Sequence, residues 1–223
     1  MRLLVLATTL VSVPGERLEY EIRYGPVVLG SLELRELAPE TLASVECRHL
    51  QASLVLDSPF TWLFWAHYEF ESWASRESLI TLRSNKRTRE TNYRANWTAD
   101  FDRSAGVVRY SDGSTYSVPA SCRDLLTLWY WFRTYTPGQT REVRADAHVD
   151  RKNYRLRATV ASQRGVRTRA GVFDCIVMVP EISGPLGTVY LADRSDRIPV
   201  VIRTTVAGLT VSAMLKAVYY EGK

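Results

Sequence analysis

Cysteine and histidine are scarce in this chain, three of each among 223 residues. Cys47, Cys122 and Cys175 stand far apart and form no C-x-x-C spacing, which removes the usual redox and structural-zinc signatures. Cys175 lies in an apolar run, Phe173 to Val179, where a buried thiol is the expected fate, and no disulfide is required. His49, His67 and His148 make no H-x-x-x-H pair. A G-x-S-x-G elbow and phosphate-binding glycine loops are also missing, so nucleophilic hydrolysis and nucleotide chemistry have no foothold. Glu69 and Glu71 are two residues apart on one prospective strand face. Hydrolytic carboxylate pairs come from separate elements, so this spacing reads as a solvated face. No catalytic residue, metal or cofactor is therefore implied. Beyond the N-terminus no apolar run is long enough for a membrane-spanning helix.

What is present begins with Arg2 and an apolar stretch from Leu3 to Val13, broken by Pro14-Gly15. That pattern predicts a secretory leader over residues 1–15 and a mature chain of 16–223, read as a single domain. Export places the protein in the periplasm or at the outer-membrane periphery and argues against a nucleic-acid partner. Charge is uneven. Glu16 to Leu82 carries eleven acids against five arginines, whereas Arg83 to Arg109 has seven bases against three acids and Arg141 to Arg169 nine against three. Such basic stretches fit an anionic partner, or opposite charges on adjoining strands.

Alternating polarity dominates. Leu18, Tyr20, Ile22 and Tyr24 interleave with Arg17, Glu19, Glu21 and Arg23; Gly25-Pro26 and Gly30 break the run, and Leu32 and Leu34 continue as the second arm of a hairpin. The same period of two recurs at Leu50–Leu56, at Arg89–Phe101 (Thr91, Tyr93, Ala95, Trp97 and Ala99 on one face) and at Lys152–Val160. It returns in a final stripe of Leu209, Val211, Ala213, Leu215, Ala217 and Tyr219. Turn signals separate the runs, and many short strands at this spacing predict an antiparallel sheet curled into an open barrel or half-barrel.

Two segments depart from that period. Ser121 with Asp124 three residues on resembles a capping box ahead of Leu125–Phe132, a helix apolar over most of its girth and so expected inside the concave face. Ser58-Pro59 opens a second, aromatic segment, where Phe60, Trp62, Phe64 and Trp65 cannot all face one way. Core packing is the plainer reading of these aromatics. The sharper one is a hydrophobic ligand site formed by Phe60, Trp62, Phe64 and Trp65 with Trp129 and Trp131 of the helix.

Several pieces then fall into a known order: Tyr24-Gly25 with Gly30, Tyr68-Glu69-Phe70-Glu71-Ser72, Asp100-Phe101-Asp102, and Cys122-Arg123-Asp124-Leu125-Leu126 leading into Trp129-Tyr130-Trp131-Phe132-Arg133. Gly171-Val172-Phe173-Asp174-Cys175-Ile176, Leu191-Ala192-Asp193 and Arg197-Ile198-Pro199-Val200 follow. From about Glu16 to Tyr220 the chain resembles the exported bacterial family called domain of unknown function 3108. The resemblance implies an envelope location and this fold, and supplies no reaction. Two expectations follow: noncatalytic binding of an envelope lipid or other hydrophobic ligand, or a scaffold role in which Arg151, Arg155 and Arg157 meet an anionic polysaccharide or protein.

Overall fold

The computed structural model describes residues 12–57, 65–138, 140–181, 187–206 and 209–221. Among them are fifteen strands: β1 (Glu16–Tyr24), β2 (Val27–Glu36), β3 (Glu40–Leu42), β4 (Val45–Leu56), β5 (Ala66–Ser75), β6 (Thr81–Glu90), β7 (Arg94–Asp102), β8 (Val107–Tyr110), β9 (Thr115–Ser117), β10 (Glu142–Val149), β11 (Lys152–Thr168), β12 (Gly171–Pro180), β13 (Thr188–Ala192), β14 (Pro199–Val206) and β15 (Leu209–Tyr220). One helix, α1 (Leu125–Phe132), separates β9 from β10. The strands form one antiparallel sheet of two meanders, β1 through β9 and β10 through β15, joined where β15 pairs with β1. The remaining edges, β9 and β10, belong to the two elements that flank the helix, so the sheet curls round α1 as an open barrel.

The alternation explains this curl. On β1, Leu18, Tyr20 and Ile22 are buried against the core while Arg17, Glu19 and Glu21 face outward. On β11, Leu156 and Ala158 are buried between exposed Arg155 and Arg157. Each large apolar side chain taken out of water contributes roughly 1.5–3 kcal/mol, and these residues share one core cluster with Leu126, Leu128, Tyr130 and Phe132 of the helix.

Four local expectations are corrected. The helix cap is Asp124, not Ser121: its carboxylate accepts from the Thr127 amide at 2.8 Å, while Ser121 Oγ donates to Asp146. The Arg89–Phe101 run is two strands, with Thr91-Asn92-Tyr93 forming the turn between β6 and β7. Gly30 does not end the strand: β2 continues through it with a one-residue bulge at Leu29, and uses the missing side chain to approach β4. The C-terminal stripe also fails at Lys216, where a bulge opposite Glu19/Tyr20 shifts the register by one residue. A one-residue slip exchanges the two faces of a strand. Ala217 and Tyr219 therefore leave the inner face, and Tyr219 lies outside under the Arg17 guanidinium, 4.2 Å from its ring centre.

One end of the barrel is closed by charge. Arg133, just after α1, makes a bidentate pair with Glu16 at 2.6 and 2.8 Å, both side chains being fully buried, and it also donates to the Asp196 carbonyl. Beside it Tyr20 donates to the Pro199 carbonyl at 2.8 Å. The chain enters alongside: the Ser12 hydroxyl contacts Glu36 and Arg48, and the Gly15 amide donates to the Glu36 carbonyl.

Candidate functional site

The helix does not fill the concavity. Its Leu125, Leu126 and Trp129 face a hollow of about 200 Å³ whose other walls are Ile22 of β1, Leu32 of β2, Ala52 and Leu54 of β4, Phe70 of β5, Ile202 and Thr204 of β14, and Val211 and Ala213 of β15. Among the described residues of that lining, Thr204 is the one with a polar aliphatic side chain. Inner-face residues Leu54, Phe70 and Leu125 are only half-buried where they border the hollow. An apolar, concave, preformed hollow is the usual form of a site for a hydrophobic molecule.

What holds this hollow open is polar. Asp124 is buried at the helix start, taking hydrogen bonds from Ser72 Oγ at 2.6 Å and from the Thr127 amide and hydroxyl, while its own amide donates to Thr81 Oγ1. Burial pushes its carboxyl above the ordinary carboxylate value. The segment before it lies along β10, with Arg123 N–H donating to the Asp146 carbonyl and His148 N–H to the Arg123 carbonyl. Side chains complete the junction between the two sheet edges. Asn153 donates to the Ser117 carbonyl, which orients its amide so that its oxygen accepts from His148 Nδ1 at 2.7 Å. His148 Nε2 must then accept from the Tyr110 hydroxyl at 2.9 Å. Lys86 meets Asp150 and Arg151 meets Asp112 across the same seam.

This Tyr–His–Asn chain is not arranged as an acid–base relay to a nucleophile. Burial raises the Tyr110 phenol to about 12, so it stays a donor at neutral pH. Burial also holds the His148 imidazole below its ordinary value, keeping it neutral. A histidine that resists protonation when folded weakens the fold on acidification, since the unfolded chain takes up a proton that the native one refuses. Stability is thus expected to fall as pH drops below about 6.5, the ordinary histidine value. Melting curves at pH 7 and pH 5 should show that loss lessened in His148→Gln; an identical loss in the variant would remove His148 as its source.

The remaining residues singled out in the sequence are placed as follows. Trp129 lines the hollow, whereas Trp131 points elsewhere and stacks under Arg123, 4.4 Å from its ring centre. Trp65 is 37% exposed, its backbone bonded to Thr91. Phe60, Trp62 and Phe64 lie outside the described residues. Of the basic strand residues, Arg151 is held by Asp112 at 2.7 Å and Arg157 by Glu142 at 2.6 Å, while Arg155 is exposed opposite Asp146. A strand pair holds Arg157 and a turn-to-turn pair across the seam holds Arg151. Glu69 and Glu71 lie on the convex side among Gln51, Asn85 and Arg87, in contact with water. All three cysteines are free and buried, and burial raises the Cys122 thiol to about 12 and the Cys175 thiol to about 11. Among the described residues no three His, Cys, Asp or Glu side chains converge as a metal site.

The family model of the Protein of unknown function (DUF3108) matches residues 19–216. The chain belongs to the DUF3108 family. Its match spans every strand wall of the hollow. The DUF3108 chain is similar in fold to the crystal structure of a beta-barrel-like protein of domain of unknown function DUF1849 from Brucella abortus, with a TM-score of 0.59 at 9% identity over 92% of this chain and 97% of that one. A DUF1089 family protein from Pseudomonas aeruginosa aligns with a TM-score of 0.44 at 9% identity, covering 76% and 88% of the two chains. No curated protein matches the DUF3108 chain.

Proposed function

We propose that this DUF3108 protein is an exported, noncatalytic binder of a hydrophobic ligand, held between α1 and the inner face of the sheet. The observation that carries the reading is the hollow of about 200 Å³ with a predominantly apolar wall. Export rests on the leader read over residues 1–15. Among the described residues no helix is long and apolar enough to cross a membrane. The basic strands support an anionic partner less well, since carboxylates of the same sheet already hold Arg151 and Arg157.

Filling the hollow tests the reading. Ala213 and Ala52 both line it, and a phenyl ring grown from either occupies the space a ligand would need. Titrated with the fluorescent dye N-phenylnaphthylamine, Ala213→Phe and Ala52→Phe should bind at least about tenfold more weakly than the parent, about 1.4 kcal/mol. Melting temperatures should hold or rise as the void closes. Dye affinity unchanged in both well-folded variants would reject the hollow as the site.

A further inference from the structure

We propose that the apolar hollow and a smaller one beside it, edged by a lysine, form a single two-compartment site for a fatty acid, with Lys86 as the cation that meets its carboxylate. This deepens the ligand-binding reading above and rests on it.

The two hollows share Phe70, Leu125 and Leu126 as a common wall. Beyond that wall lies the smaller one, of about 90 Å³, where Ser72, Ser84, Lys86, Tyr110 and Asp150 bring polar groups into a largely apolar lining. This polarity begins on β6. Phe70 pairs with Lys86 and Ser72 with Ser84 on the inner face, so the register turns a lysine into the barrel interior. Lysine seldom points inward without a function for its charge or a partner to hold it. Here Nζ sits 5.5 Å from the centre of the Phe70 ring, at the boundary between the compartments, and 2.5 Å from Asp150 Oδ1.

The Asp150 pair does not disqualify Lys86. Asp150 stands in the turn between β10 and β11, its side chain 55% exposed while that of Lys86 is 17% exposed. Water reaches this pair from the Asp150 side and screens it, so an arriving carboxylate replaces Asp150 and gains the same cation from the drier side. The other ionisable groups lining this compartment have partners of their own: the Glu71 carboxylate takes hydrogen bonds from Gln51 and Asn85 on the convex side. Asp124 is held by Ser72 and Thr127, and His148 is tied to Tyr110 and Asn153. Among the described residues lining either hollow, Lys86 is the one basic side chain whose charge faces the ligand space.

Chemistry selects the class. One ammonium, at Lys86, suits a single carboxylate, and the apolar hollow across Phe70, Leu125 and Leu126 suits the acyl chain that follows it.

Displacement of N-phenylnaphthylamine by decanoic acid and by decanol, at pH 7.5 on the full chain, separates head from tail. The parent should bind the acid at least tenfold tighter than the alcohol. Lys86→Met and Lys86→Gln should abolish that preference and leave decanol binding unchanged, with melting curves confirming the fold. Asp150→Asn, which frees the ammonium, should tighten the acid alone. A tenfold acid preference that survives both Lys86 variants, or its absence from the parent, overturns the role of Lys86 while the hollow stands. Failure of both probes to displace the dye overturns the hollow itself and the fatty-acid site with it.

Discussion

Arg133→Met is expected to lose about 3–5 kcal/mol of stability, the range for removing one partner of a buried ion pair. The loss is not the strength of the Arg133–Glu16 attraction. Glu16 is fully buried at the start of β1, and with the guanidinium gone its carboxylate has neither water nor a cation. The Asp196 carbonyl loses its donor in the same step, which releases the 193–198 turn that helps close this end. Adding Glu16→Met should recover most of the deficit, because a buried pair replaced on both sides by apolar groups is often close to neutral. Urea denaturation of the parent, both single variants and the double variant checks this. A double variant as unstable as Arg133→Met alone would mean that the Asp196 contact, not the orphaned carboxylate, carries the effect.

Gly30→Ala should be comparably severe, about 3 kcal/mol, for a steric reason. A methyl group at Gly30 would lie 1.9 Å from the Val55 carbonyl oxygen and 2.9 Å from the Leu56 Cα. Both are backbone atoms of β4, so no side chain can swing aside, and relief requires β2 and β4 to part where they form the wall of the hollow. Gly25 provides the contrast. Its φ of +54° strains any other residue, yet nothing lies within 4 Å of a Cβ there. Gly25→Ala should therefore cost only about 1 kcal/mol, the ordinary penalty for a left-handed turn position. Equal urea midpoints for the two variants would show that β4 yields more readily than this geometry allows.

The barrel was legible wherever one strand face is apolar and the other charged, as on β1 and β11, and the helix because eight residues from Leu125 to Phe132 carry no alternation at all. β6 was not read as a strand. Its inner face presents Ser84, Lys86 and Thr88, and its outer face Arg83, Asn85 and Arg87, so both faces are polar and the period of two vanishes. The inner face of β6 meets polar partners, Lys86 pairing with Asp150 and Ser84 standing opposite Ser72, so the strand has no reason to alternate. The bulge at Lys216 escaped for a different reason. Ala217 and Tyr219 continue an apolar pattern with perfect spacing, and only the pairing with β1 reveals that the backbone has slipped. The Arg133–Glu16 pair joins residues 117 positions apart, a distance over which local pattern carries no information. Of the candidate ligand residues, Trp129 lies in the hollow. Its other walls are ordinary core residues such as Leu32, Ala52 and Ala213, whose position beside a void depends on how far the sheet bends round α1.

A wall whose last joint is held mainly by side chains has one direction in which it yields cheaply. Everywhere else, widening the barrel means unzipping a row of amide–carbonyl bonds together. Along the line from Tyr110 through His148 to Asn153, parting the edges forfeits a few separate bonds, each about 0.5–1.5 kcal/mol, with two ion pairs and the two amide–carbonyl bonds at Arg123, and leaves every antiparallel ladder whole. The circumference of the barrel is thus more cheaply adjusted at that joint than between any two paired strands.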